Sequence, residues 1–157
     1  MRYQKGFTLI ETVIYIALFT ILIVGGFVTA YQLIQGSDTL NAKTIIQEEG
    51  NFVLRKMDWV LTGLDSTNPP TIGGSGCEWT LRVYKYNYIN NPIDFRHNAA
   101  SSTIEMQEAG SGYLPITTSN VSVACLKFQN ISGTPAGVTA TSTINGIDFT
   151  ITKYIRK

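Results

Sequence analysis

The sequence predicts an α+β chain in which a long N-terminal helix, its first half able to span a membrane, lies on a small antiparallel β-sheet head. Three observations carry this. Residues Thr12 to Ser37 run for 26 positions without a charge and are dense in Ile, Leu, Val and Phe. The next stretch, to about Leu64, keeps helical spacing but turns amphipathic. After Gly76 the apolar residues alternate with polar ones, the period of a strand. The average composition of the 157 residues, 44% apolar and 15% charged, hides this division. A formal charge of +1, from 12 basic and 11 acidic residues, excludes a broad basic field for nucleic acid.

The helix comes first. A hydrocarbon core needs about 20 apolar helical residues, and the uncharged run reaches roughly 39 Å at about 1.5 Å per residue. Arg2 and Lys5 precede it with no acidic residue before Glu11. The positive-inside rule therefore keeps the N-terminus in the cytoplasm and places the C-terminal bulk outside. An ordinary secretory signal cleaved after Val28-Thr29-Ala30, or an uncleaved signal anchor, would also fit the apolar run. Neither accounts for Glu11, because a carboxylate inside such a segment is costly and is usually paired and functional.

Glu11 belongs to the run Lys5-Gly6-Phe7-Thr8-Leu9-Ile10-Glu11, followed directly by the apolar helix. This run resembles the class III signal of type IV pilins and pseudopilins: a short basic leader ending in Gly, a Phe as first mature residue, a Glu at the fifth mature position, then the hydrophobic stretch. The resemblance implies cleavage between Gly6 and Phe7 by a prepilin peptidase and N-methylation of Phe7. It also implies pairing of Glu11 with the terminal amine of a neighbouring subunit during assembly. The physical logic is legible: Gly6 lets the backbone enter a tight active site, and one ion pair offsets two desolvation penalties. Loss of Arg2 and Lys5 leaves ten basic against eleven acidic residues, so the side-chain sum moves from +1 to −1.

The implied partners are the prepilin peptidase, other pilin or pseudopilin subunits, an inner-membrane assembly platform and membrane lipid. The implied location is the bacterial inner membrane, crossed once with the N-terminus in the cytoplasm, and then an extracellular or periplasmic filament. The segments expected are a leader at 1–6, a membrane or filament-core helix at 7–37, its amphipathic continuation at 38–64, and a β-rich head at 65–157.

Beyond Asp38, residues Leu40, Ile45, Ile46, Phe52, Val53, Met57, Val60, Leu61 and Leu64 recur at helical spacing among charges, so one helix is expected from about Thr8 to about Thr62. Gly25-Gly26, Gly36 and Gly50 are weak points in it. Many pilins carry a kinking proline where this chain has Val28; the paired Gly25 and Gly26 could supply similar flexibility or close helix packing. Ser66 to Gly76, with Pro69-Pro70 and Gly73-Gly74, reads as a loop. Strands are expected at Cys77–Tyr84, Val121–Cys125 and Ile147–Thr152, with a weaker one near Thr103–Gln107. Asn87 to Ser102, containing Asn90-Asn91-Pro92, reads as a loop.

Cys77 and Cys125 fall on strand positions of an exported domain and suit a disulfide, whose closed loop would contribute about 4 kcal/mol in the chain-entropy model. Two buried free thiols are the alternative. Two cysteines and one histidine make no structural zinc site, and no cofactor is expected. Major pseudopilins bind calcium through an aspartate-rich C-terminal loop, where this chain offers only Asp148. His97 is alone and no nucleophile stands with a base, so enzymatic activity is not expected. Tyr84, Tyr86 and Tyr88, with Arg82 and Lys85 close by, suit a stacking surface for single-stranded DNA; a half-buried strand face packed on a neighbour is the reading favoured. The amphipathic run Asn51–Met57, the long sheet region and the cysteine spacing resemble minor pilins and minor pseudopilins, which prime filaments or cap their tips. Pseudopilins of type II secretion or competence apparatus are the nearest alternative, and a secreted or membrane-anchored binding domain the alternative from another class.

Overall fold

A computed structural model describes residues 8–155. Helix α1 covers Leu9–Leu61 and is followed by β1 (Thr71–Ser75), β2 (Glu78–Val83), β3 (Ile93–Asn98), β4 (Thr103–Glu108), β5 (Leu114–Pro115), β6 (Val123–Ile131), β7 (Gly137–Ile144) and β8 (Ile147–Tyr154). The chain separates into two compact units, the first ending at Lys43 and the second beginning at Thr44, so α1 contributes to both.

In the first unit α1 carries its apolar side chains in the open: Leu9, Ile10, Phe19, Leu22, Phe27 and Leu33 are among the large exposed ones. This helix is long and apolar enough to cross a membrane. Its threonine hydroxyls turn back onto the helix: Thr12 donates to the Leu9 carbonyl at 2.8 Å, Thr20 to Ala17 at 2.8 Å, and Thr29 to Gly26 at 2.9 Å. Such bonds leave no hydroxyl proton unpaired when water is absent.

In the second unit the remainder of α1 buries Gly50, Val53, Met57, Val60 and Leu61, positions that recur every three to four residues on one face. They meet Leu81, Val83, Ile93, Phe95, Ile104, Leu126, Phe128, Val138, Ala140 and Ile144 from the sheet. Each large side chain buried this way contributes roughly 1.5–3 kcal/mol. The expected weak point at Gly50 is a packing site: a Cβ there would overlap the Phe149 ring. At its C-terminal end α1 has no basic residue in the last turn. Lys85 fills that role from outside the helix, donating its Nζ to the Trp59 carbonyl and lying 4.3 Å from the Trp59 ring centroid. Burial pushes the Lys85 ammonium below its ordinary pKa.

The sheet order is β5-β4-β3-β2-β6-β7-β8, with β1 pairing additionally along β2. Every pairing is antiparallel except the contact of β2 with β6, whose one registered pair is Glu78 opposite Leu126. The architecture is thus the expected α+β layout, with a wider sheet and one parallel junction.

Four local expectations change. The proposed loop at Ser66–Gly76 contains β1, because Gly74 at φ +106° lets the chain pass where any Cβ would overlap the Glu78 carbonyl. The proposed loop at Asn87–Ser102 contains β3, whose Ile93 and Phe95 point into the core. The charges of β3 face charges across the sheet, Arg82 opposite Asp94 and Arg96 opposite Glu105. The strand expected at Val121–Cys125 begins at Val123, and a bulge before Cys125 shifts the inward residues from Val123 to Leu126 and Phe128. Finally, β7 occupies a threonine-rich stretch left without an element. It closes onto β8 through Asn145-Gly146, both at positive φ (47° and 80°), the geometry of a two-residue hairpin.

Candidate functional site

The residues at which processing is expected, Gly6 and Phe7, lie outside the described residues. Glu11 sits in the first turn of α1, where a carboxylate complements the positive end of the helix dipole. On the same helix the Tyr15 hydroxyl, one turn on, donates to Glu11 Oε1 at 3.5 Å. The ion pairs among the described residues, Arg82–Asp94, Arg96–Glu105 and Lys153–Asp58, all lie in the second unit, and Glu11 is in none of them. Beyond it the helix carries no charged side chain until Asp38. Cβ atoms added at Gly25, Gly26 or Gly36 would meet nothing within 4 Å, so no contact on this chain requires those glycines.

Cys77 and Cys125 are joined, with Sγ atoms 2.14 Å apart and Cα atoms 4.5 Å apart. Each immediately precedes a member of the Glu78–Leu126 pair, and the Leu126 N–H donates to the Cys77 carbonyl at 3.1 Å.

The three tyrosines do not share a strand face. β2 ends at Val83, and the chain after it pairs with the segment leaving α1: Asp65 N–H donates to the Tyr84 carbonyl at 2.8 Å and Tyr86 N–H to the Gly63 carbonyl at 2.9 Å. Asn91 then folds the loop back. Its Oδ1 accepts from Lys85 N–H at 2.9 Å, and its Nδ2 donates to the Lys85 and Tyr88 carbonyls at 2.7 and 2.9 Å. Tyr88 turns inward, meeting the Trp59 ring edge-on at 5.6 Å and donating to Glu108 Oε2 at 2.8 Å, a bond that holds its phenol above the ordinary pKa. Tyr86 stays exposed. A continuous stacking platform is therefore not formed by these residues.

His97 is a structural group here. A carbonyl can only accept, so the 3.0 Å contact of Nε2 with the Val123 carbonyl makes Nε2 the donor, and Nδ1 is buried without a partner. Asp148 accepts from the Thr143 hydroxyl at 2.6 Å. Among the described residues, no group of three or more His, Cys, Asp or Glu side chains could hold a metal ion.

One constellation was not legible in the sequence. On the outer face of the sheet, Arg82 Nε and Nη2 donate to the two oxygens of Asp94 at 2.7 and 2.9 Å, beside a small cavity that Tyr113 also lines. Next to it Arg96 donates to Glu105 at 2.8 Å and stacks 3.6 Å from the centre of the Tyr113 ring. Asn98 Nδ2 donates to the second Glu105 oxygen at 2.8 Å; these bonds and the Arg96 charge hold Glu105 below the usual carboxylate range. Arg and Asp twelve residues apart become partners only once the β2–β3 register is known.

Comparison with known proteins bears on the N-terminus alone. Residues 1–27 match the family model for the prokaryotic N-terminal methylation motif. The chain thus carries a type IV pilin-like class III signal, which marks it as a pilin- or pseudopilin-like precursor. No curated protein and no solved structure matches the chain.

Proposed function

We propose that the protein is a non-enzymatic structural subunit of a type IV pilus-like filament, a minor component that serves at initiation or at the tip. Prepilin peptidase cuts after Gly6, Phe7 is methylated, and the exposed apolar helix moves from the inner membrane into the filament core. The single observation that carries this is the match of residues 1–27 to the N-terminal methylation motif, continuous with an apolar helix long enough to span. Burial of Glu11 in an apolar medium demands a counter-charge. The methylated amine of a neighbouring Phe7 supplies one at the right depth, and it fixes register between stacked helices. The head is a disulfide-closed α+β unit suited to display outside the cell. The mechanism is thus sorting by chemistry: the helix is solvated first by lipid, then by other helices, and the head stays in water throughout.

The test is the mature N-terminus, read by mass spectrometry on protein made in its own host. The expected chain begins at N-methylated Phe7. A chain beginning at Tyr31 would assign an ordinary secreted domain, and an intact Met1 a static anchor; either result overturns the proposal.

A further inference from the structure

We propose that the outer face of the sheet holds a binding site for a neutral, polyhydroxylated ring such as one pyranose unit, formed by Arg82, Asp94, Thr71, Thr80, Gly73 and Tyr113. The site lies wholly in the second unit and is independent of the filament reading.

The cavity at this place has a volume of about 220 Å³. That is below the usual range for a drug-sized ligand but roomy enough for a single sugar ring. Its floor is open because Gly73, opposite Thr80 in the β1–β2 register, has no side chain; a Cβ there would stand 3.1 Å from Thr80 Oγ1. Thr71 and Thr80 place hydroxyl-bearing side chains at the cavity, and Tyr113 supplies an aromatic ring held in place by the Arg96 guanidinium stacked on it.

Hydrogen-bond arithmetic gives the ligand class. A guanidinium has five N–H donors and a carboxylate about four acceptor positions. The Arg82–Asp94 pair uses two of each. Three donors on Arg82 and about two acceptor positions on Asp94 therefore remain, side by side. The Arg82 side chain is 54% exposed whereas that of Asp94 is only 10% exposed, so the guanidinium is open to a ligand from solvent. A group that donates to one and accepts from the other at once is a hydroxyl, and adjacent hydroxyls on a ring match adjacent vacancies. An anion gains little, because Asp94 and Glu105 already neutralise Arg82 and Arg96. An apolar ligand would strip water from the unpaired donors and acceptors and is disfavoured.

The experiment uses the full chain in a zwitterionic, sugar-free detergent, with methyl-labelled threonine observed by NMR. The probes are methyl glucopyranoside, methyl galactopyranoside and methyl mannopyranoside, with acetate and inorganic phosphate as charged controls that carry no sugar ring. At least one neutral glycoside is expected to move the Thr71 and Thr80 methyl signals saturably. Gly73→Val fills the floor and should weaken that binding at least about tenfold. Tyr113→Ala is the second variant, should Gly73→Val fail to fold, and unchanged threonine signals of β7 and β8 report that the head is intact. The proposal is overturned if none of the three glycosides shifts these signals, if the charged controls shift them as strongly, or if binding survives both folded variants unchanged.

Discussion

Cys77 and Cys125 stand one residue before Glu78 and Leu126, the single registered pair at the one parallel junction of the sheet among the described residues. The disulfide therefore clamps the place where the β1–β5 half meets the β6–β8 half, a place the backbone ladder secures weakly. The cysteines are 48 residues apart, and closing a loop of that size contributes about 4 kcal/mol in the chain-entropy model. Replacing both by Ser should lower the stability of the head by 2–5 kcal/mol, roughly the range for small secreted domains. Denaturant unfolding of the intact chain measures it; a loss under about 1 kcal/mol would show that the junction holds without the bond.

Gly50 sets two effects against each other. Alanine is the better helix former by about 1 kcal/mol, so substitution at an open helical position would stabilise. Here the new Cβ overlaps the Phe149 ring, and overpacking of that kind costs about 1–3 kcal/mol. The expected sign for Gly50→Ala is a net loss. In a Phe149→Ala background the overlap disappears and the same substitution should become favourable. A thermodynamic cycle on the four proteins decides it, and additivity between the two sites would refute the contact.

Ser142 lies on the inner face of β7, fully buried, with its hydroxyl unpartnered. A buried polar group without a hydrogen bond lowers stability by about 1–3 kcal/mol. Ser142→Ala keeps nearly the same volume and should leave the head as stable or more stable, unlike most core substitutions. A clear drop in the unfolding midpoint would mean that the hydroxyl has a partner in solution.

The helix was legible to within a residue at each end because its spacing and its uncharged run are strong, local signals. β2, β4 and β8 were legible from alternation. β1 was lost to Gly73-Gly74, which read as loop but serves a close approach to β2. β3 was lost because Asp94, Arg96, His97 and Asn98 look solvated until cross-strand partners absorb them. The β7–β8 hairpin did announce itself: Asn-Gly between Ile144 and Ile147 is the strongest short-range turn signal, and reading it would have recovered β7. At the N-terminus Glu11 was legible as an anomaly, a charge at the head of an apolar run where burial in lipid is costly. The cavity around Arg82 depends on register between distant segments, and no local pattern encodes it.

Glu105 gives the head a pH dependence with a definite sign. Its folded-state pKa is depressed, chiefly by the Asn98 hydrogen bond and then by Arg96. The unfolded chain therefore takes up the proton first. The resulting stability is present above the ordinary glutamate value of about 4.3 and is lost as pH falls through the lower folded-state value. Glu105→Gln removes the titration, so the gap between wild type and variant should be widest near neutrality and shrink in acid. Asp65, also depressed by its Thr67 and Asn68 hydrogen bonds, titrates in both proteins and cancels from the difference. Parallel unfolding curves for the two proteins across the acid range would refute the assignment.

Glu11→Ala separates assembly from folding through two readouts. In the membrane-inserted monomer the carboxylate is a burden of about 2.5–3.5 kcal/mol if unpaired at the centre of the bilayer, and less nearer the interface. Its removal should leave precursor levels and the unfolding of the head unchanged, because Glu11 lies in the first unit and the core lies in the second. On the proposed filament role, the same change removes the counter-charge of a neighbouring amine and leaves that cation buried alone, at a cost of roughly 3–5 kcal/mol. Incorporation into filaments should therefore collapse while membrane abundance holds. Sheared surface fractions and membrane fractions from the native host, blotted side by side, measure both. Filament incorporation at the wild-type level would remove Glu11 from assembly, and a matching fall in membrane abundance would assign it to insertion instead.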